Sequence, residues 1–127
     1  MLHIVYDTSA LLAYASGNKN SAALVVEGAE ATGPALWTPL LCVLDAGNQR
    51  PGIAHMIGRR PALNLIALDY DTVLAISALR EHGLRESVAC ALYCAQPSTT
   101  RTEGAFIATT APEPYANTGA HTLDLNA

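Results

Sequence analysis

The sequence predicts an α/β fold: a three-layer α/β/α sandwich around a parallel sheet of about five strands, formed by a single domain over residues 1–127. Two observations lead there. Short apolar runs of strand character alternate along the chain with longer stretches of helical spacing, the pattern of a parallel sheet with helices on both faces. Half of the residues are hydrophobic while only 6% are aromatic, so alanine and leucine dominate, which suits helices packed on a sheet better than an all-β sandwich. A chain of 127 residues also buries roughly two-thirds of its unfolded surface, enough for a self-sufficient core. Neither an internal repeat nor a linker interrupts it.

The elements follow in order. His3 to Tyr6 is a short strand that stops at Asp7-Thr8-Ser9, and a helix runs from about Ser9 to Ala15. After the polar break Gly17 to Asn20, Asn20 or Ser21 caps a second helix, expected to reach Thr32 and to end at Gly33 in a left-handed stop. Ala35-Leu36-Trp37 is a strand. Thr38-Pro39 reads as a helix start, with threonine as N-cap and proline at the first helical position, and the helix continues to Gln49. Pro51-Gly52 separates it from a further helix that Pro61 closes. Leu63 to Leu68 is the clearest strand. Asp69-Tyr70-Asp71 caps a helix over Thr72–His82 with Val73, Ile76 and Leu79 on one face, ended by Gly83, and Arg85 to Gln96 forms another apolar helix. Pro97 to Glu103 is expected to be a mobile loop. Ala105 to Thr109 is a strand, Pro112 to Asn117 a short helix, and His121 to Leu125 the last strand.

Charge and cysteine usage narrow the function. The formal net charge is −4, which argues against tight non-specific binding to nucleic acid, although acids gathered for a cation would contribute to that sign. Six of the seven basic residues are arginines, and Arg50, Arg59 and Arg60 form either a local phosphate-facing patch or a solvated helix end. Cys42, Cys90 and Cys94 make no C-x-x-C pair and have no histidine cluster nearby, so buried free thiols are expected. No apolar run approaches the ~18–20 residues that cross a bilayer, and no targeting segment is visible. A cytoplasmic protein without membrane contact is the expectation.

Ligands of an open parallel sheet bind beyond the carboxyl ends of its strands. Here that rule points to Asp7-Thr8-Ser9, Thr38 and Thr109-Thr110. Dinucleotide and phosphate-loop fingerprints are missing, the only lysine is Lys19, and no serine sits in a nucleophile elbow. A receiver-like or phosphatase-like domain using Asp7 as nucleophile is disfavoured for the same lack of a well-placed lysine. Asp7 either projects a carboxylate into the crevice or caps the following helix. Asp45, in an otherwise apolar helix, either faces solvent or joins that crevice.

Four segments then share a register. Ile4-Val5-Tyr6-Asp7-Thr8-Ser9-Ala10-Leu11-Leu12 resembles the opening motif of the PIN-domain family, a strand followed by Asp, Thr or Ser, Ser and an apolar pair. Thr38 to Ala46 is similar to the second motif, whose helix supplies an acid, here Asp45. Ala89 to Ala95 resembles the third, and Ile107 to Tyr115 the fourth. Order and spacing agree over nearly the whole chain, apart from a few extra residues in the Pro97–Glu103 loop. In this register the third acid is replaced by Cys90 and the fourth by Ala111. Glu86, one turn before Cys90, and Glu113, two residues past Ala111, are the nearest carboxylates. A one-turn shift moves a side chain ~6 Å, which metal geometry rarely accommodates.

The resemblance implies a cytoplasmic, toxin-type ribonuclease of a toxin–antitoxin module. Mg2+ or Mn2+ would be held by Asp7 and Asp45, with Glu86 as a third catalytic acid beside them and Ser9 and Thr109 binding the substrate. RNA, an antitoxin protein and a second copy of the chain are the implied partners. With two of the four acids replaced, it implies weak cleavage or none. Two functions follow: a divalent-metal-dependent endoribonuclease of reduced activity, or a catalytically inactive binding or regulatory protein acting through protein or RNA contacts.

Overall fold

The structure, a computed structural model, describes residues 1–126. It is a three-layer α/β/α arrangement. Strands β1 (His3–Tyr6), β2 (Ala35–Pro39), β3 (Leu63–Ile66), β4 (Phe106–Thr109) and β5 (Thr122–Asp124) form one sheet. Helices α1 (Thr8–Ala15), α2 (Lys19–Gly28), α3 (Leu40–Gln49), α4 (Ile53–Gly58), α5 (Tyr70–Arg80) and α6 (Glu86–Ala95) flank it, and a one-turn 3-10 helix spans Glu113–Tyr115. Every strand pair is parallel, in the order β3-β2-β1-β4-β5. The chain therefore builds outward from β1 in one direction through β2 and β3, then in the other through β4 and β5. This reversal between β1 and β4 opens a crevice at their carboxyl ends. Among the described residues no helix is long and apolar enough to cross a membrane.

Because β1 is central, it is covered on both faces, and Ile4, Val5 and Tyr6 are fully buried. Helix α2 takes the face shared by Tyr6 and Leu36. There the Tyr6 hydroxyl donates to the Ser21 carbonyl at 2.7 Å, and burial pushes that phenol up to about 12. Helix α6 lies across β1, β2 and β4, and it is nearly all small or apolar: Ala89, Cys90, Ala91, Leu92, Cys94 and Ala95 are buried. Small side chains let the helix backbone approach the sheet closely. The three cysteines are free and buried, as their spacing predicts.

Local chemistry overrides the sequence expectation at several element ends. Thr38 does not cap α3. It remains in β2, opposite Leu65, and its fully buried hydroxyl donates to the Tyr6 carbonyl at 3.2 Å, so Pro39 takes the cap position without a side-chain bond. Helix α2 is capped by Asn18, which accepts from the Ser21 amide at 2.8 Å, rather than by Asn20 or Ser21. That helix also ends at Gly28 and not near Thr32, because the chain must turn back toward β2. A Cβ at residue 28 would stand 2.8 Å from Leu36 Cδ1. Gly33 is not left-handed; it is needed because a Cβ there would overlap the Glu27 carbonyl. In α5 the inner residues are Thr72, Ile76 and the half-buried Leu79, whereas Val73 is 41% exposed. Together with Leu65, Leu68, Tyr70 and Leu74 it leaves an apolar surface around the β3 edge.

The segment between α6 and β4 reads as a loop, and it is anchored. The Arg101 carbonyl accepts from the Ser98 and Gly104 amides, while its guanidinium lies over the Trp37 ring, 4.7 Å from the centroid. Arg101 is only 8% exposed and its Nε has no hydrogen-bond partner. Trp37 Nε1 in turn donates to His3 Nδ1 at 3.1 Å. Gly104 closes the loop at φ +78°, where a Cβ would meet the Ala95 carbonyl oxygen at 2.7 Å. Gly104→Ala should cost about 1–2 kcal/mol from the left-handed backbone alone, and more from the overlap. Urea denaturation checks this, and an unchanged midpoint would show that the loop is not seated as described.

Burial, with the charge of Arg101 adding to it, lowers the His3 pKa from its ordinary value of 6.5. The neutral ring is the form that accepts from Trp37. Its contribution to stability is therefore complete above about pH 6.5 and is lost as the pH falls through the lower folded value. A proton NMR titration should place the His3 midpoint below the ordinary value of 6.5. A midpoint at or above that value would contradict the contact.

Candidate functional site

β1 delivers Asp7 to the crevice, one residue beyond the strand, where it also becomes the N-cap of α1. Both readings of Asp7 drawn from the sequence thus coexist in one side chain. The carboxylate is only 4% exposed and accepts three hydrogen bonds. Oδ1 accepts from the Ala10 amide at 2.9 Å and from the Ser9 hydroxyl at 2.7 Å, and Oδ2 accepts from the Tyr115 hydroxyl at 2.8 Å. An ionised carboxylate can only accept, so each partner must donate.

That rule fixes the direction of a short proton chain. The Ser9 hydroxyl spends its hydrogen on Asp7, so in its 3.0 Å contact with Thr109 Oγ1 it is the acceptor. Thr109 must donate there, and its own oxygen accepts from the Ala111 amide at 3.0 Å. Ser9 also accepts from the Thr110 amide at 2.9 Å. The carboxyl ends of β1 and β4 are thereby tied together, running Ala111 to Thr109 to Ser9 to Asp7.

Asp45 reaches the same place from α3. It lines, with Asp7, Ser9, Gln49, Arg85 and Ser87, a cavity of about 160 Å3. Asp45 is half-buried and accepts from Gln49 Nε2, one turn on, at 3.3 Å. Glu86 is not brought to Asp7. It lies at the start of α6, more than half exposed, in a 2.6 Å ion pair with Arg80. It lines the neighbouring depression of about 340 Å3, which Asp45 and Arg85 share. Glu113 is exposed, and within its turn it is Pro114 that lines the Asp7 cavity. Of the two positions where the resemblance expects acids, Ala111 lines the cavity and Cys90 is buried in α6.

The buried titratable groups beside Asp7 are a thiol and a phenol. Burial, reinforced by the Asp7 charge, holds the Cys42 thiol well above its ordinary value. A hydrogen bond with Cys94 and burial do the same for Cys90. Burial first, and then Asp7, raises Tyr115, which keeps its proton and its donor role. Tyr115 and Arg85 did not stand out in the sequence. The signal for Tyr115 was the Pro112-Glu113-Pro114 run, whose restricted backbone folds one turn back over the strand ends.

These residues are a poor match for Mg2+ or Mn2+. Such a hard cation takes oxygen ligands, ordinarily carboxylates. Here the Asp7 carboxylate is engaged by three protein donors, and Cys90 and Ala111 offer only a thiol and a methyl group. Among the described residues, no three histidine, cysteine, aspartate or glutamate side chains gather in a metal-binding group. Arg85 brings a protein cation to the cavity instead.

No protein-family model and no curated protein matches the chain. Among solved structures it is similar to a chain of a toxin–antitoxin complex from Klebsiella pneumoniae, with a TM-score of 0.67 at 18% identity, covering 96% of this chain and 97% of that one. At that identity the likeness is one of fold.

The proton chain makes a thermodynamic prediction. Ser9→Ala and Thr109→Val should each cost about 1 kcal/mol. The double variant should depart from their sum by about 0.5 kcal/mol or more, because the two hydroxyls act as one unit. A double-mutant cycle in urea measures it, and strict additivity would break the chain apart.

Proposed function

We propose that this chain is a non-catalytic relative of the PIN-domain ribonucleases, working through protein contacts as the toxin-side member of a toxin–antitoxin type of pair. The observation that carries the reading is the state of Asp7. Both of its oxygens are engaged by the chain's own donors, in a site where Cys90 and Ala111 replace acids. Clustered carboxylates repel one another by a few kcal/mol per close pair at an effective dielectric of about 20, and a cation relieves that repulsion. Asp7 is satisfied by neutral dipoles, and Asp45, the other carboxylate of its cavity, shares that cavity with the cationic Arg85, so little repulsion is left to relieve. The four-motif register and the full-length likeness to a chain of a toxin–antitoxin complex support the family and the kind of partner. The net charge of −4 favours a protein partner over RNA.

A second reading, a weak divalent-metal-dependent endoribonuclease of the cytoplasm, draws on one fact: Asp7 and Asp45 line the same cavity. Incubating RNA with the purified protein and millimolar Mn2+ separates the two. We expect no cleavage beyond that of Asp7→Asn. Cleavage that requires Mn2+ and disappears in Asp7→Asn would establish the enzyme and sink the binding reading. Stable co-purification with the product of an adjacent reading frame is the expected positive result for a pair of this type.

A further inference from the structure

Strand β3 closes one side of the sheet, and among the described residues β2 is its only strand neighbour. An edge strand carries a row of main-chain N–H and C=O groups with no ladder partner, and monomeric proteins guard such edges with charged side chains or irregular backbone. The opposite edge follows that rule: β5 is three residues long and ends in the exposed Asp124. β3 does not follow it. From Pro61 to Leu68 there is no charged residue, and Asn64 and Leu65 are exposed in the middle of the strand. Around this edge Leu65, Leu68, Val73 and Leu74 are exposed, and Tyr70 is 73% exposed.

The charges stand outside the strand and are sorted by sign. Arg59 and Arg60 precede it, Asp69 and Asp71 follow it, and all four are exposed. Residues 46–68 hold three arginines and no acid, in a chain whose net charge is −4. Among the described residues none of the four side chains is in an ion pair; the pair that forms is Arg80 with Glu86. Arg60 stands four residues before Asn64, and Asp69 stands four residues after Leu65. A two-fold axis between Asn64 and Leu65 therefore lays the basic end of one copy against the acidic end of the other, twice.

We propose that β3 and the exposed start of α5 form a self-complementary surface for a second copy of this chain, the two β3 strands pairing antiparallel so that one sheet continues across both copies. An antiparallel strand on the edge of a parallel sheet is ordinary geometry. Four residues make few ladder bonds, so the leucines, Val73 and Tyr70 supply most of the burial. The arginines and aspartates set direction and register. The same charges disfavour other occupants. A uniformly acidic segment would meet Asp69 and Asp71, and a uniformly basic one would meet Arg59 and Arg60. A two-fold contact satisfies both ends at once. None of these residues lines the Asp7 cavity, so the inference stands apart from the reading of that site.

Sedimentation velocity of the full-length protein at micromolar concentrations tests it, with helical circular dichroism to show that each variant is folded. Wild type should run as a dimer. Leu65→Lys, which puts a charge in the middle of the edge, should run as a monomer. Arg59→Glu combined with Arg60→Glu makes both ends acidic and should raise the dimer Kd about tenfold or more. Adding Asp71→Arg to that pair should recover part of the loss, which damage to the fold would not do. A wild type that stays monomeric overturns the proposal. So does a dimer that Leu65→Lys leaves intact, because another face then joins the copies. A dimer indifferent to the arginine reversal, or not rescued by Asp71→Arg, overturns it too, because the charge contacts of the two-fold are then missing. Should Leu65→Lys not fold, hydrogen exchange of the wild type decides. Amides of residues 63–68 that exchange more slowly as concentration rises support the pairing, and amides that ignore concentration overturn it. These outcomes are read without RNA, so cleavage or its absence, which decides the function proposed above, leaves them untouched.

Discussion

The fold is organised around one buried negative charge. Asp7 sits at the point where the sheet reverses its direction of growth, nearly shut off from water, and an ionised carboxylate in such a place must be surrounded by donors. It recruits them from two distant parts of the chain: the first turn of α1, through the Ala10 amide and the Ser9 hydroxyl, and the Tyr115 phenol. Through Ser9 the demand passes on to Thr109 and the end of β4. The carboxyl ends of the two central strands and the turn after β4 are therefore held by a single hydrogen-bonded network with a defined proton direction.

Much of this was legible before any coordinates. The five strands and their parallel arrangement follow from the alternation of short apolar runs with helical stretches. Asp7, Ser9 and Thr109 follow from the rule that strand ends hold ligands, and Asp45 from the spacing of a known motif. What could not be read was contact between distant segments. Thr38 carries the signature of a helix cap, yet burial forces its hydroxyl onto the neighbouring strand. Gly33 looks like a helix stop, and its real constraint is the carbonyl of Glu27 folded against it. Arg101 sits in a polar run typical of a free loop, but Trp37 captures it. Tyr115 is the most consequential case, because the Pro112-Glu113-Pro114 run signals a turn but not a partner 108 residues away.

Considered together, Cys90, Ala111 and Tyr115 form an electrostatically coherent set. Cys90 and Ala111 bring no charge to the site, and a neutral donor covers one oxygen of the buried Asp7 carboxylate. Cys42 and Cys90, held as thiols by their surroundings, add no charge of their own. Jointly they leave a polar centre that is stable with what the chain itself provides, and this is why the site's chemistry and the fold's stability have to be discussed as one subject.

Trp37 is the only tryptophan in the chain. Because it lies under the Arg101 guanidinium and bonds to His3, its indole is a native optical reporter for whether the 97–104 segment is docked. A change in its emission that precedes loss of helical circular dichroism would record that segment lifting away from an intact sheet, with no label introduced.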